Sequence, residues 1–253
     1  MIWRIPTADT LKPSLSAQTE MKILALDSTA LVGSCAVLED TKLLASFTVN
    51  NGNTHSETLL PMVESCLKLL GLTANDIDIF ALSEGPGSFT GVRIGAATVK
   101  GLAFGKDKPC IGVSTLEALA QNLVGADGII CPAMNARRNQ VYTALFRCKS
   151  GELERITEDM AIDVAELEDK LDNFNDNIYV CGDGDFLLYN SKTRRKDYAT
   201  VPELLRYQNG YSVGVCALKK FNVGEVRTDI TLAPTYLRPS QAERTRMEKE
   251  NEK

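Results

Sequence analysis

The chain has 253 residues, of which 44% are hydrophobic and 24% are charged, and its formal net charge is −5. This length allows two modest domains or one large one with an ordinary globular core. The acidic balance argues against a strongly basic nucleic-acid binder, because phosphate contacts need clustered Lys and Arg. Seven scattered cysteines without a CxxC spacing and one histidine, His55, exclude a zinc knuckle and a multi-histidine metal site.

The N-terminal twenty residues differ from the rest of the chain. Residues 1–20 contain two prolines and no apolar period, and we expect them to form a disordered extension. The sequence shows neither the hydrophobic stretch of a secretory signal nor the ~18 apolar residues of a membrane span. With cysteines typical of a reducing compartment, this predicts a cytoplasmic protein without membrane association.

A first unit, residues 21–126, begins with a three-stranded meander whose first strand ends in Asp27. Thr54 and Glu57 form a capping box, and apolar residues at helical spacing predict a helix over 54–70. Ser114 and Glu117 predict a second capped helix that ends near Asn122. The predicted strands of this unit are 22–27, 34–40, 42–50, 77–83 and 109–113.

Residues 85–103, GPGSFTGVRIGAATVKGLA, combine a glycine-rich turn with a helix of small residues that ends near Phe104. The backbone N–H groups of such a turn can cradle an anion at a helix N-terminus. The glycines also let another element approach closely, and each costs about 1 kcal/mol in a helix relative to Ala. The turn therefore indicates either an anion site or a tightly packed helix.

A second unit, residues 127–253, repeats the same order of elements. A hairpin of 128–135 and 140–148 turns at 136–139, and a third strand, a helix, a strand and a late helix follow. Because the two halves share one order of strands and helices, we predict a duplicated α/β fold of two mixed-sheet subdomains. The late helix of the second unit is free to pack back on the first subdomain. The charged tail, 238–253, is predicted to be a frayed helix or disordered. The later predicted elements are strand 152–158, helix 163–171, strand 178–182 and helix 211–221.

Several segments in one order carry a family resemblance. The chain resembles the TsaB family over nearly all of residues 21–247, in ILALDST, HSETLLPMVESCL, ALSEGPGSFTGVRIG, GVSTLEALA, NARRNQVYTALF and YLRPSQAER. The resemblance implies the actin-like/sugar-kinase/Hsp70 ATPase-type fold. It also implies a non-catalytic partner of TsaD, which transfers a threonylcarbamoyl group to adenosine 37 of tRNAs that read codons starting with A.

The resemblance further implies the partners. These are a TsaD-like catalytic subunit in a heterodimer, a TsaE-like ATPase and, indirectly, tRNA, with a homodimer when the chain is alone. TsaD carries a histidine pair at i and i+4 that ligates a metal, and the corresponding positions here are Thr115 and Leu119. Leucine cannot ligate a metal, so we expect no metal site and no catalytic activity of the chain alone.

In kinases and ATPases of this fold, an Asp at the end of the first strand helps to hold the metal–phosphate group. The best second phosphate turn is residues 181–185, CGDGD, whose acids repel phosphate. We therefore expect no required cofactor, and weak ATP or ADP binding at most, at the partner or the interface. The degenerate nucleotide set is Asp27, Ser28, Thr29, Gly85, Pro86, Gly87 and Ser88.

The two helices of the first unit are apolar over broad faces, which predicts a second surface to bury. The resemblance supplies a partner helix pair for that surface. His55, at the first helical position, is assigned a structural or interface role rather than that of a base. Asn135 stands where the family often has Asp, and Arg137 and Arg138 follow on an exposed turn. The predicted interface set is His55, Leu59, Leu60, Val63, Leu67, Gly95, Val99 and Ala103.

Three alternatives remain at this stage. An ATP-dependent phosphotransferase of the same fold predicts Mg-ATP binding or hydrolysis by the chain alone. A metallopeptidase-like relative is disfavoured by the missing histidine pair. A dimeric module unrelated to tRNA predicts that no TsaD-like protein co-purifies with the chain.

Overall fold

The computed structural model describes residues 20–238, and the predictions of a disordered N-terminal extension and of a charged tail lie almost wholly outside this range. The strands are β1 (Lys22–Asp27), β2 (Gly33–Glu39), β3 (Lys42–Val49), β4 (Ile79–Gly85), β5 (Cys110–Ser114), β6 (Gly128–Asn135), β7 (Gln140–Thr143), β8 (Phe146–Lys149), β9 (Glu152–Arg155), β10 (Met160–Asp163) and β11 (Ile178–Cys181). The helices are α1 (His55–Leu70), α2 (Phe89–Ala103), α3 (Thr115–Gln121), α4 (Val164–Leu171), α5 (Asp185–Tyr189), α6 (Glu203–Arg206) and α7 (Gly210–Asn222).

β1 is the central strand of the first sheet, whose order is β3-β2-β1-β4-β5. It pairs antiparallel with β2 and parallel with β4, so that α1 serves as part of the crossover between β1 and β4. Between Lys22 and Asp27, β1 is wholly apolar because these residues are buried on both faces of the sheet. Asp27 therefore stands at the carboxyl end of a central strand, the edge at which open α/β sheets bind ligands.

Helices cover both faces of the first sheet. On one face, Leu24 and Leu26 of β1 pack in a cluster with Leu59 of α1 and Val99 of α2. On the other face, Ile23 and Ala25 of β1 pack in a cluster with residues of α7. This alternation along β1 follows the period of two of a strand, and it explains why every apolar residue of β1 is needed.

The second sheet has the order β10-β7-β6-β8-β9, and β11 pairs parallel with β6. The predicted strand 140–148 is divided into β7 and β8, which pair antiparallel with opposite ends of β6. β6 thus has an antiparallel neighbour and a parallel neighbour, as β1 has in the first sheet. The shared order of strands and helices confirms the predicted duplicated α/β fold of two mixed-sheet subdomains.

The last part of the described chain returns to the first lobe. α7 lies so close to β2 that a Cβ on Gly210 would stand 2.7 Å from the backbone nitrogen of Ala36. Residues 227–238, which we call the C-terminal strap, begin as Arg227 exchanges two backbone hydrogen bonds with Cys110, at 2.9 and 3.0 Å. Leu232 of the strap is buried in the first lobe's core. The predicted unit 127–253 therefore contains two packing units, because α7 and the strap pack on the first sheet.

Most predicted elements are confirmed within two or three residues. Thr54 precedes α1, and the Glu57 carboxylate accepts a hydrogen bond from the Thr54 backbone N–H at 3.3 Å. The Ser114 hydroxyl likewise accepts from the Glu117 N–H at 3.4 Å at the start of α3. The sequence analysis missed β10, α5 and α6, which have four or five residues each and too few turns to show a period. In the part of the chain that the structure describes, no helix has the length and apolarity to cross a bilayer.

Candidate functional site

Asp27, at the end of β1, is 1% exposed and forms three hydrogen bonds within the chain. Its Oδ1 accepts from the Thr29 backbone N–H at 2.9 Å and from the Thr29 hydroxyl at 2.8 Å, and its Oδ2 accepts from the Ser83 hydroxyl. Burial raises the pKa of the Asp27 carboxyl in spite of these bonds. Both oxygens are engaged by the β1–β2 turn and by β4, so that three of the roughly four acceptor sites of the carboxylate are used inside the chain.

The glycine turn before α2 lies directly against the turn that follows β1. The Ser88 N–H donates to the Thr29 carbonyl at 2.7 Å, and the Ser28 hydroxyl donates to the Gly91 carbonyl at 2.9 Å. A Cβ on Gly87 or Gly91 would clash with the carbonyl oxygen of Thr29 or Ser28. The glycines at these positions are therefore explained by close contact between two turns of this chain.

The strap holds the other side of the same turn. The Thr235 N–H donates to the Glu84 carbonyl at 2.7 Å, and the Glu84 carboxylate forms an ion pair with Arg227. A Cβ on Gly85, which has φ +125°, would meet the carbonyl oxygen of Thr235. Residues 85–88 are thus held between the β1–β2 turn and the strap, and this contact fixes the start of α2.

Acidic residues face this region from the second lobe. The Asp183 carboxylate accepts from the Asn135 N–H at 3.3 Å, and its pKa is raised by burial and by the neighbouring charges of Asp185 and Asp27. Burial also raises the pKa of Asp185, whose Oδ2 lies 3.3 Å from Nε of Arg206. A cavity of about 290 Å³ adjoins these groups and is lined by Leu31, Val32, Asn50, Asp183, Asp185, Phe186, Arg206 and Tyr207.

These residues do not fit a nucleotide phosphate group. The structure brings Asp27, Ser28 and Thr29 together with residues 85–88, as the sequence analysis expected, but their polar groups bond to one another. The Ser88 hydroxyl accepts from the Gly91 N–H at 3.2 Å and so caps α2 instead of an anion. The acids of the opposite lobe would repel phosphate oxygens. Asn135, where the family often has Asp, avoids a further negative charge beside Asp183.

The two positions that correspond to the TsaD histidine pair lie in the core. Thr115 is fully buried and its hydroxyl has no hydrogen-bond partner among the described residues. Leu119 packs in the cluster formed by α3 and the second sheet. Within residues 20–238 there is no group of three or more His, Cys, Asp or Glu side chains placed to hold a metal ion.

His55 connects α1 to the β1–β2 turn. Its Nε2 lies 2.6 Å from the carbonyl oxygen of Ala30, so that the ring donates to a backbone acceptor. A Cβ on Gly33 would stand 3.0 Å from Nδ1 of the ring, which shows how tightly the imidazole is packed. This contact supports the structural part of the role predicted for His55.

The predicted interface residues separate into two groups. Leu59, Val63, Leu67, Gly95, Val99 and Ala103 are buried in the first lobe's own core. Their side chains therefore contribute to the first lobe's own packing, and their part in an interface stays a prediction. Leu60 is 45% exposed. Ala97 and Gly101 of α2 and Phe104 just after it are also exposed, and an interface that includes them stays a prediction.

Sequence reasoning missed a cluster at the start of α2, which we call the Arg93 cluster and which consists of Phe89, Arg93 and Tyr236. The Arg93 guanidinium carbon lies 3.8 Å from the centre of the Phe89 ring, and its Nε donates to the Tyr236 hydroxyl at 2.8 Å. The two rings are 5.0 Å apart. Arg93 and Tyr236 are 143 residues apart, and neither motif that contains them indicates the contact.

The fold and this site define a two-lobed α/β protein with a duplicated mixed-sheet core and a closed central turn. The family profile described as "TsaD: tRNA N6-adenosine threonylcarbamoyltransferase" matches residues 44–194, more than half of the chain. Bacillus subtilis "tRNA threonylcarbamoyladenosine biosynthesis protein TsaB" is 38% identical over 146 residues, 58% of this chain and 64% of that protein. The corresponding TsaB of Buchnera aphidicola subsp. Schizaphis graminum is 32% identical over 64% of this chain and 78% of that protein. The chain belongs to the TsaB family.

A solved structure agrees with this assignment. "YeaZ from Pseudomonas aeruginosa" superposes with a TM-score of 0.75 at 26% identity, and the match covers 86% of this chain and 100% of that one. The sequence matches to Bacillus subtilis, Escherichia coli and Haemophilus influenzae TsaB span 64%, 55% and 59% of those relatives. The chain thus matches less than two thirds of the length of these three relatives.

Proposed function

We propose that this chain is a non-catalytic partner of a TsaD-like transferase in the formation of N6-threonylcarbamoyladenosine at position 37 of tRNAs that read codons starting with A. The observation that supports this proposal is the burial of Thr115 and Leu119 at the positions of the TsaD histidine pair. A leucine in the core offers no ligand, and both oxygens of the buried Asp27 carboxylate already accept hydrogen bonds within the chain. A TsaE-like ATPase completes the proposed set of partners, in the cytoplasm.

The outer face of α2 supports pairing through the helices of the first lobe. A Cβ on Gly101 would meet nothing within 4 Å, so this glycine is not required by packing inside the chain. Ala97 is exposed one turn earlier, and Phe104 after the helix is 76% exposed. A helix that shows small residues to solvent allows a partner helix to approach closely. The proposed contact surface is therefore the outer face of the second half of α2, from Ala97 onward, with Leu60 of α1.

The function is tested by reconstitution. The chain is co-expressed with a TsaD-like subunit from the same source, and threonylcarbamoyl transfer to tRNA is measured with and without it. We expect transfer to depend on the chain, and we expect the chain alone to show no transfer. Transfer that proceeds equally well without the chain would contradict the proposal, as would loss of the gene with the tRNA modification intact.

The pairing surface is tested by one charge placed on it. Ala97→Arg adds a long cation to the exposed face of α2 and is expected to abolish co-purification with the TsaD-like subunit. Ala165→Arg makes the same change on the exposed face of α4 in the other lobe and is the matched control. Both variants should keep the melting temperature of the parent. Equal pairing by a folded Ala97→Arg variant would remove the outer face of α2 from the interface.

A further inference from the structure

We infer that the Arg93 cluster is a contact site for single-stranded RNA. The choice of RNA among possible anionic partners rests on the proposed function in tRNA modification. The arginine is preorganised: its guanidinium is stacked on Phe89, and its Nε is held by the Tyr236 hydroxyl at 2.8 Å. Its two Nη atoms have no acceptor among residues 20–238. A fixed guanidinium with both terminal nitrogens open fits a phosphate group in a bidentate geometry.

The charge around Arg93 is not compensated within the described chain. No carboxylate between residues 20 and 238 lies within ion-pair distance of Arg93, whereas nearby Arg227 is paired with Glu84. α2 itself contains no acidic residue. In a protein with a net charge of −5, an exposed and positioned arginine with no counterion among residues 20–238 is complementary to an anion.

Aromatic side chains extend the site across the two lobes. Tyr236 is 41% exposed beside the arginine. Two residues later the Arg238 guanidinium lies 5.9 Å from the centre of the Tyr142 ring on β7 of the second lobe. Two arginines of the described chain thus each lie beside a tyrosine ring, and of these rings Tyr236 is the exposed one, whereas Tyr142 packs against the second lobe's core. A phosphate contact beside an exposed ring combines the two features that bind single-stranded nucleic acid.

The aromatic side chains favour an unpaired RNA strand over an acidic protein surface or an RNA duplex. An acidic protein surface would need the arginines but would gain no specific stacking from the exposed ring of Tyr236. In an A-form duplex the faces of the bases are covered by their neighbours, so only phosphate contacts would remain. A loop of an RNA offers both phosphates and unstacked bases, and it is therefore the occupant that uses every group of the cluster.

The test measures RNA binding by the full chain with a fluorescent anticodon stem-loop RNA as the probe. Arg93→Gln is expected to weaken binding about tenfold and to lower the slope of log affinity against log salt by about 0.7. Tyr236→Ala is expected to weaken binding by about tenfold through lost stacking. Lys149→Gln, which removes one exposed charge from the second lobe, is the matched control and should bind like the parent.

Each outcome decides between partners. No binding by the parent chain at low salt, or equal binding by folded Arg93→Gln, overturns the inference. Loss of pairing with the TsaD-like subunit in Arg93→Gln, with RNA binding intact, identifies a protein contact and also overturns it. A blunt RNA duplex that binds as well as the stem-loop would show phosphate contact alone and would overturn the assignment to an unpaired strand. Because RNA binding is measured on the isolated chain, its failure is distinct from failure of the reconstituted transfer.

Discussion

At the scale of single residues, Asp27 shows how an inherited ligand position becomes part of the structure. A carboxylate at the carboxyl end of a central strand is placed for a ligand. Here its oxygens are bonded to Thr29 and Ser83, and it is removed from solvent. Hydrogen bonds to the charged form lower a carboxyl pKa, yet burial raises the pKa of Asp27 overall. Desolvation therefore exceeds the benefit of the three bonds.

The raised pKa of Asp27 predicts how stability depends on pH. The folded state binds a proton more tightly than the unfolded state, whose carboxyl has a pKa near 3.8. The free energy of unfolding therefore falls as pH rises from 3.8 through the folded-state pKa. Asp27→Asn removes this dependence, because the amide oxygen can accept from Thr29 while its nitrogen donates to Ser83. We expect the variant to gain stability relative to the parent between pH 4 and pH 7.

Urea denaturation at several pH values measures this difference. Asp197→Asn, which changes a fully exposed side chain, controls for the loss of one negative charge. A difference between parent and Asp27→Asn that stays constant with pH, or that favours the parent more as pH rises, would contradict the raised pKa.

At the scale of elements, α2 contains glycines of two kinds. Gly91 and Gly95 face the β1–β2 turn, and a Cβ on Gly95 would stand 2.6 Å from the Ser28 hydroxyl oxygen. Gly101 faces solvent and would contact nothing. Close contact with the β1–β2 turn therefore explains Gly91 and Gly95. Packing within the described residues does not explain Gly101.

The two kinds of glycine predict opposite effects of one substitution. Gly91→Ala forces the Ser28 carbonyl and α2 apart, and we expect it to lower the free energy of unfolding by about 1–3 kcal/mol, as overpacking does. Gly101→Ala replaces an exposed helical glycine and should raise it by up to about 1 kcal/mol. Chemical denaturation of the isolated chain gives both values. Similar effects of the two substitutions would show that the contact with Ser28 does not constrain α2.

The elements also show what sequence reasoning reached. The order of elements along the chain and the capped starts of α1 and α3 follow from local patterns, and the closeness of Asp27 to the glycine turn follows from the fold that the resemblance implies. The burial of Leu59, Val63 and Val99 in the first lobe's own core was not predicted, because an apolar stripe looks the same whether it faces its own sheet or a partner. The closed hydrogen-bonding of Asp27 was not predicted either, since it depends on Ser83, 56 residues away.

At the scale of the whole molecule, the strap connects the end of the described chain to its beginning. It meets the start of β5 at Cys110, places Leu232 in the core of the first lobe and supports residues 85–88 through Thr235. The Lys100 ammonium of α2 donates to the carbonyls of Ile230 and Leu232, both at 3.1 Å. The first lobe is therefore completed by residues that come after the second lobe in sequence, which predicts that the two lobes are coupled in folding.

Two neighbouring strap residues test this coupling. Leu232 is 1% exposed and Ile230 is 81% exposed. Leu232→Ala leaves a cavity under α1 and α2 and should lower the free energy of unfolding by about 2–5 kcal/mol. Ile230→Ala truncates a side chain of similar size that is exposed to solvent, and it should change the free energy of unfolding by less than about 0.5 kcal/mol. If the strap completes the first lobe, Leu232→Ala also speeds amide hydrogen exchange in β1 and α2, far away in sequence. Equal stability of the two variants, or faster exchange confined to the strap, would show that the first lobe folds without it.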